Sequence, residues 1–284
     1  MSLDFAVALG PLLEIRSLRH DGEELLVDAA TLPPSSKVHG RAAAIPFLHP
    51  WANRLAGDAY AVGETVVALD PDDAALGRDG NGLPLHGTLA PAGAWRWELE
   101  DAVAVLHHTG EDGSAFPFPH LIRVTFTVVG DRLEITTTLV ATGGVAVPVS
   151  FGWHPYFTLP GTPRADWVVA LPERRGVAFD ARGIPTGAGE ARRAETAPLA
   201  ARACDDGFDG LAPGATLAVA DARRRISVEL LEGYPVGQIF APPEHPIVCL
   251  EPMTAPVDAL RTGEGLRRVE PGEAFTARFA VVVG

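Results

Sequence analysis

Two residues in this sequence have the types and settings that acid–base chemistry requires. His154 stands in Ser150-Phe151-Gly152-Trp153-His154-Pro155-Tyr156-Phe157, where an apolar strand-like run from Val145 stops. Proline fixes its own φ and drives the preceding residue into an extended conformation, so His154 is held off any helix, with Trp153, Tyr156 and Phe157 as a rigid apolar wall. Aromatic faces beside a polar group suit a sugar, although simple packing at a strand end, with one ring nitrogen on a carbonyl, would use the same residues. Glu251 follows the core-like run Ile247-Val248-Cys249-Leu250 and precedes Pro252-Met253. A carboxylate at the edge of apolar surroundings has a raised pKa, and a neutral residue would fill a structural role at lower cost. Together the two supply a proton donor and a proton acceptor.

Other polar residues stand in turn-forming or apolar contexts. Arg54 follows Pro50-Trp51-Ala52-Asn53 and can donate to a hydroxyl, and His86 lies in Leu83-Pro84-Leu85-His86-Gly87, where glycine permits close backbone approach. Asp205 and Asp206 occur in Cys204-Asp205-Asp206-Gly207-Phe208-Asp209-Gly210, a stretch that a plain Asx-turn also satisfies. No metal centre is expected: HExxH and HxH are absent, and His107-His108 on a strand point to opposite faces. GxSxG, P-loop and dinucleotide-binding glycine patterns are missing too, and Asp79-Gly80-Asn81-Gly82 is read as loop composition.

The elements that must position these groups are strands. Ile122, Val124, Phe126 and Val128 alternate with Arg123, Thr125 and Thr127, then Gly130-Asp131 turns the chain into Leu133 to Val140, a period of two. Similar runs are expected at 12–18, 24–27, 59–62, 65–69, 95–99, 103–107, 145–151, 167–171, 216–220, 226–231, 236–240, 247–250 and 275–283, with an acidic turn after residue 99. Only Val257 to Arg261 suggests a helical turn, and 30 glycines and 25 prolines are too many breakers for an α or βαβ chain. The segments 70–83 and 172–213 are expected to be long surface loops, the second with room for one short strand. An all-β fold, a large antiparallel sandwich or barrel spanning residues 1–284 as one domain, follows.

Bulk properties narrow the partners. A net charge of −13, from 36 acidic and 23 basic residues, repels nucleic acid and anionic membrane surfaces. Two cysteines, Cys204 and Cys249, form no disulfide framework or paired-cysteine metal motif, and Phe5-Ala6-Val7-Ala8-Leu9 lacks the basic flank of a signal peptide. A cytoplasmic protein is expected, as a monomer or homodimer.

In combination, Asn53-Arg54, Leu85-His86-Gly87, Gly152-Trp153-His154-Pro155-Tyr156-Phe157, Asp205-Asp206-Gly207-Phe208 and Leu250-Glu251-Pro252-Met253 resemble, in order and spacing, the aldose 1-epimerase (galactose mutarotase) family. The resemblance implies a mutarotase-type supersandwich and a cofactor-independent isomerase that interconverts the α and β anomers of a free aldohexose. It also implies roles: His154 as the acid at the ring oxygen, Glu251 as the base at the C1 hydroxyl, and Arg54, His86 and Asp205 as sugar-binding groups. Asp206, Trp153 and Gln238 are further candidates to face the sugar. The chain has Asp-Asp-Gly-Phe where galactose-active members resemble Asp-His-x-Phe, and Pro-Trp-Ala-Asn-Arg where they resemble Gly-Arg-x-Ala-Asn-Arg, so the sugar is left open. Two rivals stand beside this expectation. A hexose-6-phosphate epimerase needs extra cations near the sugar, for which Arg78 and Arg96 are candidates, and a non-catalytic sugar binder needs neither acid nor base.

Overall fold

The computed structural model describes residues 2–98, 102–111, 113–187 and 189–284. Alternation builds two antiparallel sheets. In Arg132–Ala141 every second side chain is buried, and in its partner His120–Val129 the alternation holds until the strand runs out into the Gly130 turn. These two lie in a nine-stranded sheet with Trp95–Glu98, Val103–His108, Ala274–Val283, Arg225–Glu232, Thr216–Ala220, Val168–Leu171 and Glu195–Pro198. The second sheet has eleven strands. Its central path runs Leu13–His20, Ile45–Leu48, Gly152–Trp153, Val248–Met253, Val236–Ala241 and Cys204–Asp209, and Tyr156–Phe157 also pairs with Val248–Met253.

The sheets face each other across an aromatic core. Trp153 of the larger sheet packs against Phe279 of the smaller, ring centroids 5.9 Å apart, and on Phe47 of its own sheet at 4.9 Å. Period-two strands must then present alternate residues on the other face. Val248 and Leu250 point into the main core, while Cys249 and Met253 join a separate apolar cluster with Tyr156, Val38 and Ala43. That outer cluster roots the segment 28–44 on the larger sheet, and Glu251 lies in the same alternating row as Cys249 and Met253.

Several expectations are corrected. Segment 172–213 is no loop: it contains Arg174–Gly176, Glu190–Arg192, Glu195–Pro198 and Cys204–Asp209, and Asp205-Asp206 sit in a strand, not in an Asx-turn. These strands carry many polar and exposed residues, and Glu190–Arg192 and Glu195–Pro198 are sheet edges, so the apolar alternation that marks half-buried strands is missing. Within 145–151 only Val147–Val149 is a strand, and the helical turn forms at Ala259–Thr262. The acidic turn expected after residue 99 lies outside the described residues. Among the described residues, no helix is long and apolar enough to cross a membrane.

Candidate active site

His154 and Glu251 meet on the outer face of the larger sheet. Trp153 and His154 are consecutive, so the tryptophan enters the core while the imidazole emerges on the opposite side. His154 Nε2 lies 3.3 Å from Glu251 Oε1. The imidazole stacks on Tyr156 at 4.4 Å with 15° between planes, and the His86 ring stands edge-on to it at 5.3 Å. Both members of the pair are buried, Glu251 to 1% exposure and His154 to 6%. Glu251 Oε2 has no hydrogen-bond partner, and His154 Nδ1 has none beyond its own backbone.

Burial drives both groups toward their neutral forms. Desolvation, reinforced by the nearby Asp205 charge and opposed by Arg54, pushes the Glu251 carboxyl well above its ordinary range. Desolvation brings the His154 imidazole down to about 3. In the empty cleft both groups are therefore held in their neutral forms, the carboxyl protonated and the imidazole without its second proton.

Around this pair runs a hydrogen-bonded relay centred on Asn53. Its backbone N–H donates to His86 Nδ1 (3.1 Å) and its carbonyl accepts from the His86 N–H (3.0 Å). Nδ1 of His86 is therefore the acceptor, and Nε2 carries the proton of the neutral ring. Desolvation keeps this histidine neutral well below its ordinary range. The Asn53 side-chain amide donates to Gln238 Oε1 (2.5 Å), and Gln238 Nε2 donates to Asp205 Oδ1 (2.5 Å). Asn53 Oδ1 in turn accepts from the Arg54 backbone (2.9 Å) and guanidinium (3.3 Å). Register explains the row: Gln238 pairs with Gly207 on one side and Glu251 on the other, placing Asp205, Gln238 and Glu251 on one face. Asn53 and His86 both adopt positive φ, 61° and 59°, so the backbone is bent to deliver these side chains. Gly87, also at positive φ, lies so close to the His49 carbonyl that a Cβ would collide with it.

The candidates thus divide. His154, Glu251, His86, Arg54, Asp205 and Gln238 line one cavity of about 110 Å³ with Tyr156, Phe240 and Asn53. A second cavity of about 250 Å³ adjoins it across Asn53, Arg54, Asp205 and Gln238. Trp153 is a correction: it is fully buried in the main core, where its indole N–H donates to Thr137 Oγ1 at 3.3 Å, and the aromatic wall is Tyr156 instead. Asp206 is another, because it follows Asp205 on a strand and faces the other side, into a small cavity with Arg174, Arg192 and Arg202. Asp79, read as mere loop, accepts from Arg54 Nε at 2.8 Å and from the backbone of Asn81 and Leu83, so it fixes the guanidinium. Arg78 is spent on Asp58, and Arg96 lies in the strand Trp95–Glu98 of the smaller sheet. Lys37, the sole lysine of the chain, lines the cavity beside Ser35 and Ser36. Its signal was the rarity of its type, and that of Asn53 was its place beside Arg54.

Among the described residues no group of three or more His, Cys, Asp or Glu is arranged to hold a metal ion. What the cleft offers is a one-proton pair flanked by a neutral imidazole, a clamped guanidinium, a carboxylate and two amides, a set suited to moving a proton between two oxygens of a polyhydroxylated ligand.

A family model described as aldose 1-epimerase matches residues 14–281. No curated protein matches the chain in sequence. Among solved structures, a galactose mutarotase-like protein from Clostridium acetobutylicum superposes with a TM-score of 0.77 at 16% identity, covering 99% of this chain and 98% of its own. A protein of Escherichia coli K12 gives 0.73 at 21% identity, covering 100% of this chain and 99% of its own. The aldose epimerase homologue of C. elegans gives 0.69 at 14%, with 100% and 99% covered. At these identities the likeness is one of fold.

Proposed function

The chain belongs to the aldose 1-epimerase family, and from that premise we propose that it interconverts the α and β anomers of a free aldohexose, with His154 and Glu251 as the proton-transfer pair. The observation that carries the proposal is their contact at 3.3 Å in a buried, polar-walled cleft. A pyranose seated with its O1–C1–O5 edge on the pair meets an acceptor and a donor at once.

Ring opening requires Glu251 to take the C1 hydroxyl proton while His154 gives one to O5. The C1–O5 bond breaks and the C1=O1 double bond forms. Sugar binding must first move the proton from Glu251 to His154; opening then takes the pair from imidazolium–carboxylate back to imidazole–carboxylic acid, the form that burial favours in the empty site. Rotation about C1–C2 exposes the other face of the aldehyde, and reclosure runs the same transfers backwards. The cycle returns every proton and calls on no external acid, base or cofactor. His86 Nε2–H, Arg54 and the Asp205 carboxylate hold hydroxyls, and the relay through Gln238 and Asn53 keeps them in place. Because aldoses mutarotate unaided, acid and base contributions of about 10²–10⁴-fold each are sufficient.

The test follows optical rotation of fresh α-glucose, α-galactose and glucose 6-phosphate with and without the protein. Accelerated mutarotation of a neutral hexose supports the proposal; binding without acceleration would make the protein a sugar binder. Lys37 favours one second reading, a hexose-6-phosphate epimerase, since a flexible ammonium at the cavity wall can meet a phosphate. Acceleration confined to glucose 6-phosphate and lost in Lys37→Gln would establish it.

A further inference from the structure

Beyond Phe179 the same sheet face carries a much larger cavity. Its volume is about 760 Å³ and its walls include Phe179, Ile184, Val236, Met253, Pro256 and Val257. Val236 and Met253 face the same side as Gln238 and Glu251, two positions along the same strands, so the groove begins about 7 Å from the catalytic carboxylate. Phe179 lies between the two spaces: it lines the outer part of the catalytic cleft and the groove alike, and its ring rests on Gly207, where any Cβ would collide with it. The groove thus adjoins the outer part of the cleft, with Phe179 as the wall they share.

The chemistry of its walls specifies the occupant. The charges at its edge are engaged: Arg175 and Asp209 form a two-bonded pair (2.6 Å each), and Asp258 is held by Arg261 and the Ala56 N–H. Glu264, also at the edge, is exposed. Among the described residues the one cation at this edge, Arg175, is paired with Asp209, and most of the wall area is apolar. Apolar surface in a cavity of ligand size favours an apolar group.

We infer that the groove receives an apolar substituent of the substrate, an aryl, alkyl or acyl group carried on a carbon other than C1, while the aldose ring occupies the His154–Glu251 cleft. The inference rests on the mutarotase function proposed above and adds the substrate class. C1 must stay unsubstituted, since its hydroxyl proton is the one transferred.

Anomer exchange of glucose, maltose and the 2-, 3-, 4- and 6-O-benzyl glucoses, measured by NMR, provides the test. At least one benzyl ether is expected to show a KM about 10- to 100-fold below that of glucose, the benefit of burying an aryl group. Thr262→Trp and Glu264→Trp place an indole over the groove from exposed positions. Either should abolish the benzyl advantage and leave glucose exchange unchanged. Benzyl ethers no better than glucose, an advantage for maltose instead, or a benzyl advantage untouched in both variants would overturn the inference. Absence of glucose exchange as well would instead count against the mutarotase function.

Discussion

The protein buries histidines in two places, and the two differ in what their nitrogens do. Between the sheets, His49 Nε2 lies 2.7 Å from His120 Nε2, His120 Nδ1 donates to the Phe118 carbonyl (2.6 Å), and His108 Nε2 donates to the Phe116 carbonyl (2.7 Å). His108 and His120 stack at 4.8 Å. In the cleft, by contrast, His154 Nδ1 and Glu251 Oε2 lack partners beyond His154's own backbone. Desolvation depresses the imidazoles in both, His120 and His154 each to about 3. A depressed pKa therefore does not distinguish a working histidine from a structural one. Buried polar atoms left without a partner in residues that line a cavity do, because such a group costs stability unless a ligand completes it.

The largest effect should come from the cleft. Glu251→Gln keeps shape but removes the basic oxygen, and kcat is expected to fall about 10²-fold or more while sugar affinity changes by less than about tenfold. Steady-state exchange and calorimetry measure the two separately. Breaking the relay should act on binding instead: Gln238→Ala frees Asp205, and KM is expected to rise about tenfold with a smaller change in kcat.

Titration sharpens the contrast further. Unfolded histidines protonate near their ordinary pKa while the buried ones stay neutral, so the folded state binds fewer protons as pH falls below about 6.5. Each should remove about 1.4 kcal/mol of stability per pH unit between that point and its folded value. Denaturant unfolding at pH 7.5, 6 and 5 reads this loss. Glu251 has the opposite sign of shift. The unfolded carboxyl ionises above its ordinary 4.5 while the buried one stays protonated, so stability is lost as pH rises above that value. Glu251→Gln should therefore be more stable than the parent at pH 8 and equal to it at pH 4. The smallest effect on rate belongs to the core: His120→Phe orphans His49 Nε2 and should cost about 1–3 kcal/mol of stability with kcat unchanged.

Much of this was legible in the sequence. Alternation in 121–129 and 133–140 gave the strands and their shared sheet, and the aldose 1-epimerase motifs gave His154, Glu251, Arg54, His86 and Asp205, which the fold brings into one cavity. Period two also held the information that Trp153 and Asp206 must face away from His154 and Asp205, but which neighbour turns outward depends on where the core lies. Asn53 and Asp79 were less visible. Their bonds to Gln238, His86 and Arg54 join residues far apart in sequence or turn on a positive φ, and neither leaves a periodic trace.

The most direct test of the His154–Glu251 pair is a double-mutant cycle on kcat for hexose anomer exchange. His154→Asn and Glu251→Gln should each lose roughly 10²-fold or more, and the double variant should lose much less than the product, because the two groups share one proton path. Fully multiplicative losses, or a Glu251→Gln variant that turns over sugar at the parental rate, would contradict the pairing and move the search for the base to Asp205.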